Sequence, residues 1–464
     1  MAKAPFRIRL RSYQVGFGDC YLLGFDYGAP DAPDIRWLLI DFGSTELTKL
    51  RGKSRTPNSD AFGEYMSAVA QDIKATCGGR LHAVVATHRH ADHINGFSTD
   101  PDGKGPGSVI AECRPKFVIQ PWTEQPDLSP TARAPVATAT KGPQGFAALL
   151  SNMQMTAAAA ARETEHLGSG ERVRGVSEIR FLGEDNISNR SAVENLIRMG
   201  RASGAKAKYL YAGASAAMSL PGVRVHVLGP PTVKQSSKIR NQRSDDEVQF
   251  WMLMGATGAR FGAAGSRPGS RRGTVDGRDV PPQVRWFREQ VLGARAETLL
   301  PIVRALDSAM NNTSLILVFE VGGACLLFPG DAQIENWEYA LSKKANRDLV
   351  ARTTLYKVGH HGSRNATPKA GLWDRFANRR TTDDKRLWSF VSTMGGKHGH
   401  TEATAVPRAT LVEALKAETE FFTTQDLRGR GTKIQFRDFV VDTATAAVTT
   451  VAKTANRRPG SSPG

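Results

Sequence analysis

Thr87-His88-Arg89-His90-Ala91-Asp92-His93-Ile94-Asn95-Gly96 puts four metal-capable side chains within six residues. The apolar run before it, Leu81-His82-Ala83-Val84-Val85-Ala86-Thr87, reads as a buried strand, so the cluster stands at a strand end. Imidazole nitrogens and a carboxylate are donors suited to zinc or manganese. In a loop turning into a helix, His88 and His90 reach one ion while Asp92 and His93 reach its neighbour. Two ions about 3.5–4 Å apart can jointly activate a water and polarise an ester or phosphoryl oxygen. A His-rich surface loop and a single structural metal are the plainer alternatives, and the density of donors argues against both.

Working outward, strand and helix patterns interleave. Arg7 to Phe25 holds two strand-like runs broken at Gly16-Phe17-Gly18, and Trp37 to Phe42 forms a third. Ser59 to Cys77 reads as a helix, with Phe62, Met66, Val69 and Ile73 near helical spacing and Gly78-Gly79 as its stop. A short strand at Phe117–Gln120 follows, then an Ala-rich helix over Ala147–His166, a helix over Val193–Gly200 and a strand over Val223–Leu228. Strand patterns resume at Ser314–Val321, Ala324–Phe328, Thr354–Val358 and Leu387–Val391, with a helix over Val406–Glu418 and a late strand over Lys433–Phe436. The interleaving predicts a layered α/β fold. Residues 1–452 are expected to form one domain, interrupted at about 123–175 and 234–304, and 453–464 a disordered basic tail.

Composition narrows the function. The chain has 464 residues, 40% hydrophobic and 23% charged, which excludes a wholly disordered or collagen-like protein. No apolar run approaches the roughly 18 residues needed to cross a bilayer. The opening Phe6, Ile8 and Leu10 alternate with arginines and lack a signal-peptide core, so no membrane insertion is expected. Cys20, Cys77, Cys113 and Cys325 are scattered, which points to a reduced compartment and a cytoplasmic location. A formal charge of +17 favours polyanionic partners, nucleic acid first, although Arg-rich composition alone gives the same number. Thirteen Lys and Arg against seven acidic residues crowd 234–304, where Arg267, Arg271 and Arg272 are the expected phosphate contacts.

His88-Arg89-His90-Ala91-Asp92-His93 matches the HxHxDH signature of the metallo-β-lactamase superfamily. Val15-Gly16-Phe17-Gly18-Asp19-Cys20, Leu39-Ile40-Asp41-Phe42-Gly43, Asn311-Asn312-Thr313-Ser314, Phe328-Pro329-Gly330-Asp331 and Val358-Gly359-His360-His361-Gly362-Ser363 follow in the family's order. Together they resemble the hydrolase domain of the DNA-uptake channel protein ComEC and its soluble relatives, from about Phe6 to Phe436. Gln14 and Phe17 depart from that pattern, and the channel's membrane segments are absent.

The resemblance implies an αββα sandwich, two mixed sheets face to face with helices outside, holding two divalent ions. It makes His88, His90, Asp92, His93, Asp331 and His361 the ligands, with Asp331 bridging. His360 stands beside the last ligand, and which of His360 and His361 binds is left open. Asp92, His360 and His400 are the catalytic candidates, and Asp41, Asp19, Asn312 and Ser363 are expected to support the ligands. A further histidine for the first ion is missing from the motifs: His226 reads as a strand residue and His166 ends the Ala-rich helix.

Outside the basic tail no GxSxG nucleophile is present, and there is no P-loop, so a metal-activated hydroxide is the expected attacking group. The expected activity is phosphodiester hydrolysis on DNA or RNA. Hydrolysis of a small or lipid-linked phosphoester, and a metal-stabilised nucleic-acid-binding protein without catalysis, are the alternatives.

Overall fold

Alternation of inward apolar residues with arginines makes Arg7–Tyr13 a strand with one face buried. This strand, β1, lies within a large mixed sheet. The computed structural model describes residues 4–28, 34–50, 53–55, 59–100, 102–126, 134–135, 190–237, 310–363, 366–396, 405–427 and 433–451. Among them the first sheet contains β1, β2 (Cys20–Asp26), β3 (Ile35–Phe42), β6 (Ala83–Val85), β7 (Phe117–Pro121), β8 (Lys206–Leu210), β15 (Phe436–Asp442) and β16 (Val448–Thr450). Its order is β16-β15-β1-β2-β3-β6-β7-β8. Pairing is antiparallel up to β3 and parallel from β3 to β8. A small hairpin, β4 (Leu47–Leu50) and β5 (Lys53–Arg55), stands apart.

The second sheet runs β14-β13-β12-β11-β10-β9. Its strands are β9 (Arg224–Gly229), β10 (Ile316–Val321), β11 (Ala324–Phe328), β12 (Leu355–Lys357), β13 (Trp388–Val391) and β14 (Glu420–Thr423). One apolar cluster joins the sheets: Leu10, Leu23, Phe25, Leu38 and Ile119 from the first meet Leu317, Phe319, Phe328 and Phe390 from the second. Tyr21 and Phe25 cross the interface to Phe328 and Phe319, each ring pair 5.8 Å apart.

Helices cover the outer faces. On the first sheet lie α1 (Asp60–Thr76), α3 (Pro106–Glu112) and α4 (Arg190–Arg201); a four-residue turn, α2 (Ala91–Ile94), carries part of the donor loop. Phe62, Met66, Val69 and Ile73 of α1 are buried against that sheet, each such side chain contributing about 1.5–3 kcal/mol. On the second sheet lie α5 (Ile334–Ser342), α6 (Lys344–Ala351) and α7 (Ala409–Glu418), through Trp337, Leu349, Val350 and Leu415. The molecule is thus a four-layer α/β sandwich with two mixed sheets inside. Among the described residues, no helix is long and apolar enough to cross a membrane.

Some boundaries differ from the sequence reading. The late strand is Phe436–Asp442, not Lys433–Phe436, because it pairs along all of β1 from Tyr13↔Phe436 to Arg7↔Asp442. The helix expected from Val406 begins at Ala409, after Pro407. The Ala147–His166 helix, nearly all of both insertions and the 453–464 tail lie outside the described residues.

Candidate metal centre

The donors collect where strands of both sheets end. The His88–His93 loop follows β6, Asp331 follows β11, and His360 and His361 follow β12. The backbone N–H of Leu315 donates to the Thr87 carbonyl at 2.9 Å, tying the loop of one sheet to the other. The expected ligands form two overlapping groups: His88, His90 and Asp92, and Asp92, His93, Asp331 and His361. Within each group the ligand atoms lie within 4.8 Å of one another, and all are buried. Asp92 belongs to both groups, a difference from the pairing expected from sequence, because the turn of α2 points it between the histidines.

Asp331 is the meeting point. Its Oδ2 lies 3.1 Å from His93 Nε2, 4.0 Å from His88 Nε2, and 3.8 Å from both His360 Nε2 and His361 Nε2. Its Oδ1 accepts from the His360 backbone N–H at 3.1 Å. Asp331 Oδ2, Asp92 Oδ1 and His93 Nε2 are buried without a hydrogen bond. Buried polar atoms without hydrogen bonds are rare, and here they converge with histidine nitrogens. The donor set fits divalent cations preferring nitrogen and oxygen.

Contacts behind the donors fix their orientation. Asp41, in the left-handed region at φ 54°, is the last residue but one of β3. Its Oδ1 accepts from the Thr87 N–H at 2.7 Å, and its Oδ2 from the Thr87 hydroxyl at 2.7 Å and from His93 Nδ1 at 2.8 Å. That bond commits Nδ1 of His93 and turns Nε2 into the centre. His361 Nδ1 bonds the Ser392 carbonyl at 2.8 Å, leaving Nε2 2.9 Å from Asp92 Oδ2. His360 and His361 both sit in the left-handed region, at φ 46° and 51°, and Phe17 packs on the His361 ring at 4.4 Å.

Electrostatics divide the histidines. Burial pushes His88 well below its ordinary value, assisted by His93 and His90, and brings His90 to about 4. Burial also acts to lower His93 and His361, but nearby carboxylates, Asp331 foremost, outweigh it and raise both. Burial opposes ionisation of Asp331, yet His93, His360 and His361 hold its carboxyl well below the usual range.

The other expected residues divide. Asp19 faces the centre, with Oδ2 3.6 Å from His93 Nδ1 and Oδ1 3.8 Å from His361 Nδ1. Asn312 does not reach the metal loop: its amide donates to Glu335 at 2.9 Å, and Ser314 Oγ is what accepts from the Asp331 N–H. The Ser363 N–H closes the His360 turn at 2.8 Å. His226 bonds Glu320 at 2.8 Å on β10. His166, His400, Arg267, Arg271 and Arg272 lie outside the described residues.

The sequence reading missed Lys357. It is 2% exposed, with its ammonium ion-paired to Asp19 and 3.7 Å from Asp331 Oδ1. Burial would lower it, but Asp19 and Asp331 hold it above the ordinary lysine range. No protein-family model matches the chain, and a search of curated proteins finds no match.

Proposed function

We propose that the protein is a metal-dependent hydrolase of the metallo-β-lactamase type, acting on phosphodiesters in DNA or RNA. One observation carries the reading: His88, His90, Asp92, His93, Asp331 and His361, drawn from strand ends of two sheets, form two overlapping buried groups that share Asp92. The four-layer sandwich and the order of motifs along the chain support the same superfamily.

His88, His90 and Asp92 would hold one ion, and Asp92, His93, Asp331 and His361 the other. When bound, such a pair supplies an activated water and neutralises charge on a phosphoryl oxygen. The chain does the rest. Asp41 and the Ser392 carbonyl hold the imidazoles of His93 and His361 in line before substrate arrives. His360, at 25% the most exposed of the central histidines, is placed to meet a substrate oxygen. Burial lowers its pKa, which favours the neutral imidazole, able to donate or accept a hydrogen bond there.

Nucleic acid is favoured as substrate by the +17 formal charge. The test is metal-reconstituted protein offered single- and double-stranded DNA, RNA and a bis-aryl phosphodiester. Cleavage of a nucleic acid that disappears in Asp92→Ala is expected. Cleavage of the aryl ester alone would move the reading to a small phosphoester, and cleavage of none would refute hydrolysis.

A further inference from the structure

Lys357 is a charged group that neither the ligand set nor the proposed reaction uses. It ends β12, with Nζ against Asp19 Oδ2, 3.7 Å from Asp331 Oδ1 and 3.4 Å from the Gly330 carbonyl. Four carboxylates, Asp19, Asp41, Asp92 and Asp331, are buried around the centre. Buried charges without compensation are strongly unfavourable. Besides the two ligand groups, a third set, Asp19, Asp41 and His93, also has its ligand atoms within 4.8 Å of one another. His93 Nδ1 is already bonded to Asp41 there, so the carboxylates of Asp19 and Asp41 are what would attract a cation to that corner, and the Lys357 ammonium stands beside it, paired with Asp19.

We propose that Lys357 is a positioning residue whose ammonium takes the place of a third cation, limiting the centre to two ions. The same ammonium and the His360 N–H approach Oδ1 of Asp331, which leaves Oδ2 as the oxygen directed at the ions. The inference rests on the two-ion reading above. With Lys357 present, two divalent ions and the ammonium together outweigh the four carboxylates by one positive charge, so an anionic substrate can still approach.

The experiment counts ions. Metal-stripped protein is loaded with manganese, excess metal is removed, and bound manganese is measured by elemental analysis, with thermal unfolding to verify folding. Wild type and Lys357→Arg are expected to hold about two ions per chain. Lys357→Met is expected to hold about three, because the acidic corner no longer contains a positive charge. A folded Lys357→Met that holds two ions or fewer overturns the proposal. If Lys357→Met does not fold, adding Asp19→Asn removes the orphaned charge and should restore folding; a double variant that stays unfolded also overturns it. Wild type holding about one ion would instead refute the two-ion reading itself.

Discussion

Asp41 touches the first residue of the donor loop and one of its histidines at once, through Thr87 and His93. Asp41→Asn keeps the shape but weakens that grip, so metal affinity should fall about 10–100-fold with the fold retained. Asp331→Ala removes the carboxylate facing both groups, and bound metal per chain should drop below wild type. Unchanged metal content in Asp331→Ala would remove the bridge. Protons compete for the same atoms. His93 and His361 are raised in the metal-free protein, so an incoming ion must displace their protons. Apparent affinity, measured against a chromophoric chelator, should rise about tenfold per pH unit for each proton displaced. Stability runs the other way. A raised histidine stabilises the metal-free fold below the unfolded value near 6.5, and that contribution is lost as pH rises through the raised values. The thermal midpoint of stripped protein should therefore fall with rising pH in that window. Invariance would contradict the assignment.

Among the elements, the turn after β11 does most to set the centre. Gly330 has φ +55°, and a Cβ there would lie 2.8 Å from Thr87 Cβ and Oγ1. Gly330→Ala should destabilise by about 1–3 kcal/mol and also weaken metal uptake, because Thr87 carries the Asp41 bonds. Gly78, at φ +59° with open space where a Cβ would stand, is the control. Gly78→Ala should show only the backbone penalty of about 1–2 kcal/mol, with metal uptake unchanged. Equal metal loss in both would mean that general destabilisation, not the turn, is responsible. Elements with their own pattern were legible in the sequence: α1 through Phe62, Met66, Val69 and Ile73, and the donor loop through its density of histidines at a strand end. Partners distant in sequence were not. Lys357 reads as an ordinary outward strand residue until the fold brings Asp19 to it. The polar edge strand Lys206–Leu210 has no apolar run, and its pairing with β7 defines it. Cys77 and Cys113, distant in sequence, end α1 and α3 with sulfurs 4.0 Å apart.

At the scale of the molecule, two sheets meet over one apolar cluster, and carboxylates and histidines gather where strands of both sheets end. Metal bound only by the folded state adds to stability, about 2.7 kcal/mol at a free concentration 100 times Kd. Chelation should therefore lower the thermal midpoint, and zinc or manganese should restore it. The overall +17 charge predicts salt-sensitive binding to nucleic acid. Neutralising Arg267, Arg271 and Arg272 should flatten the slope of log affinity against log salt by up to about 0.9 per lost duplex phosphate contact, without slowing cleavage of a small aryl phosphodiester. An unaltered slope would exclude those arginines from the interface. The most direct measurement titrates metal-stripped protein with zinc or manganese while following cleavage of the aryl phosphodiester. A two-ion centre predicts that turnover climbs and levels off at about two equivalents of metal. A plateau at one equivalent, or bound ions with no cleavage at any ratio, would contradict it.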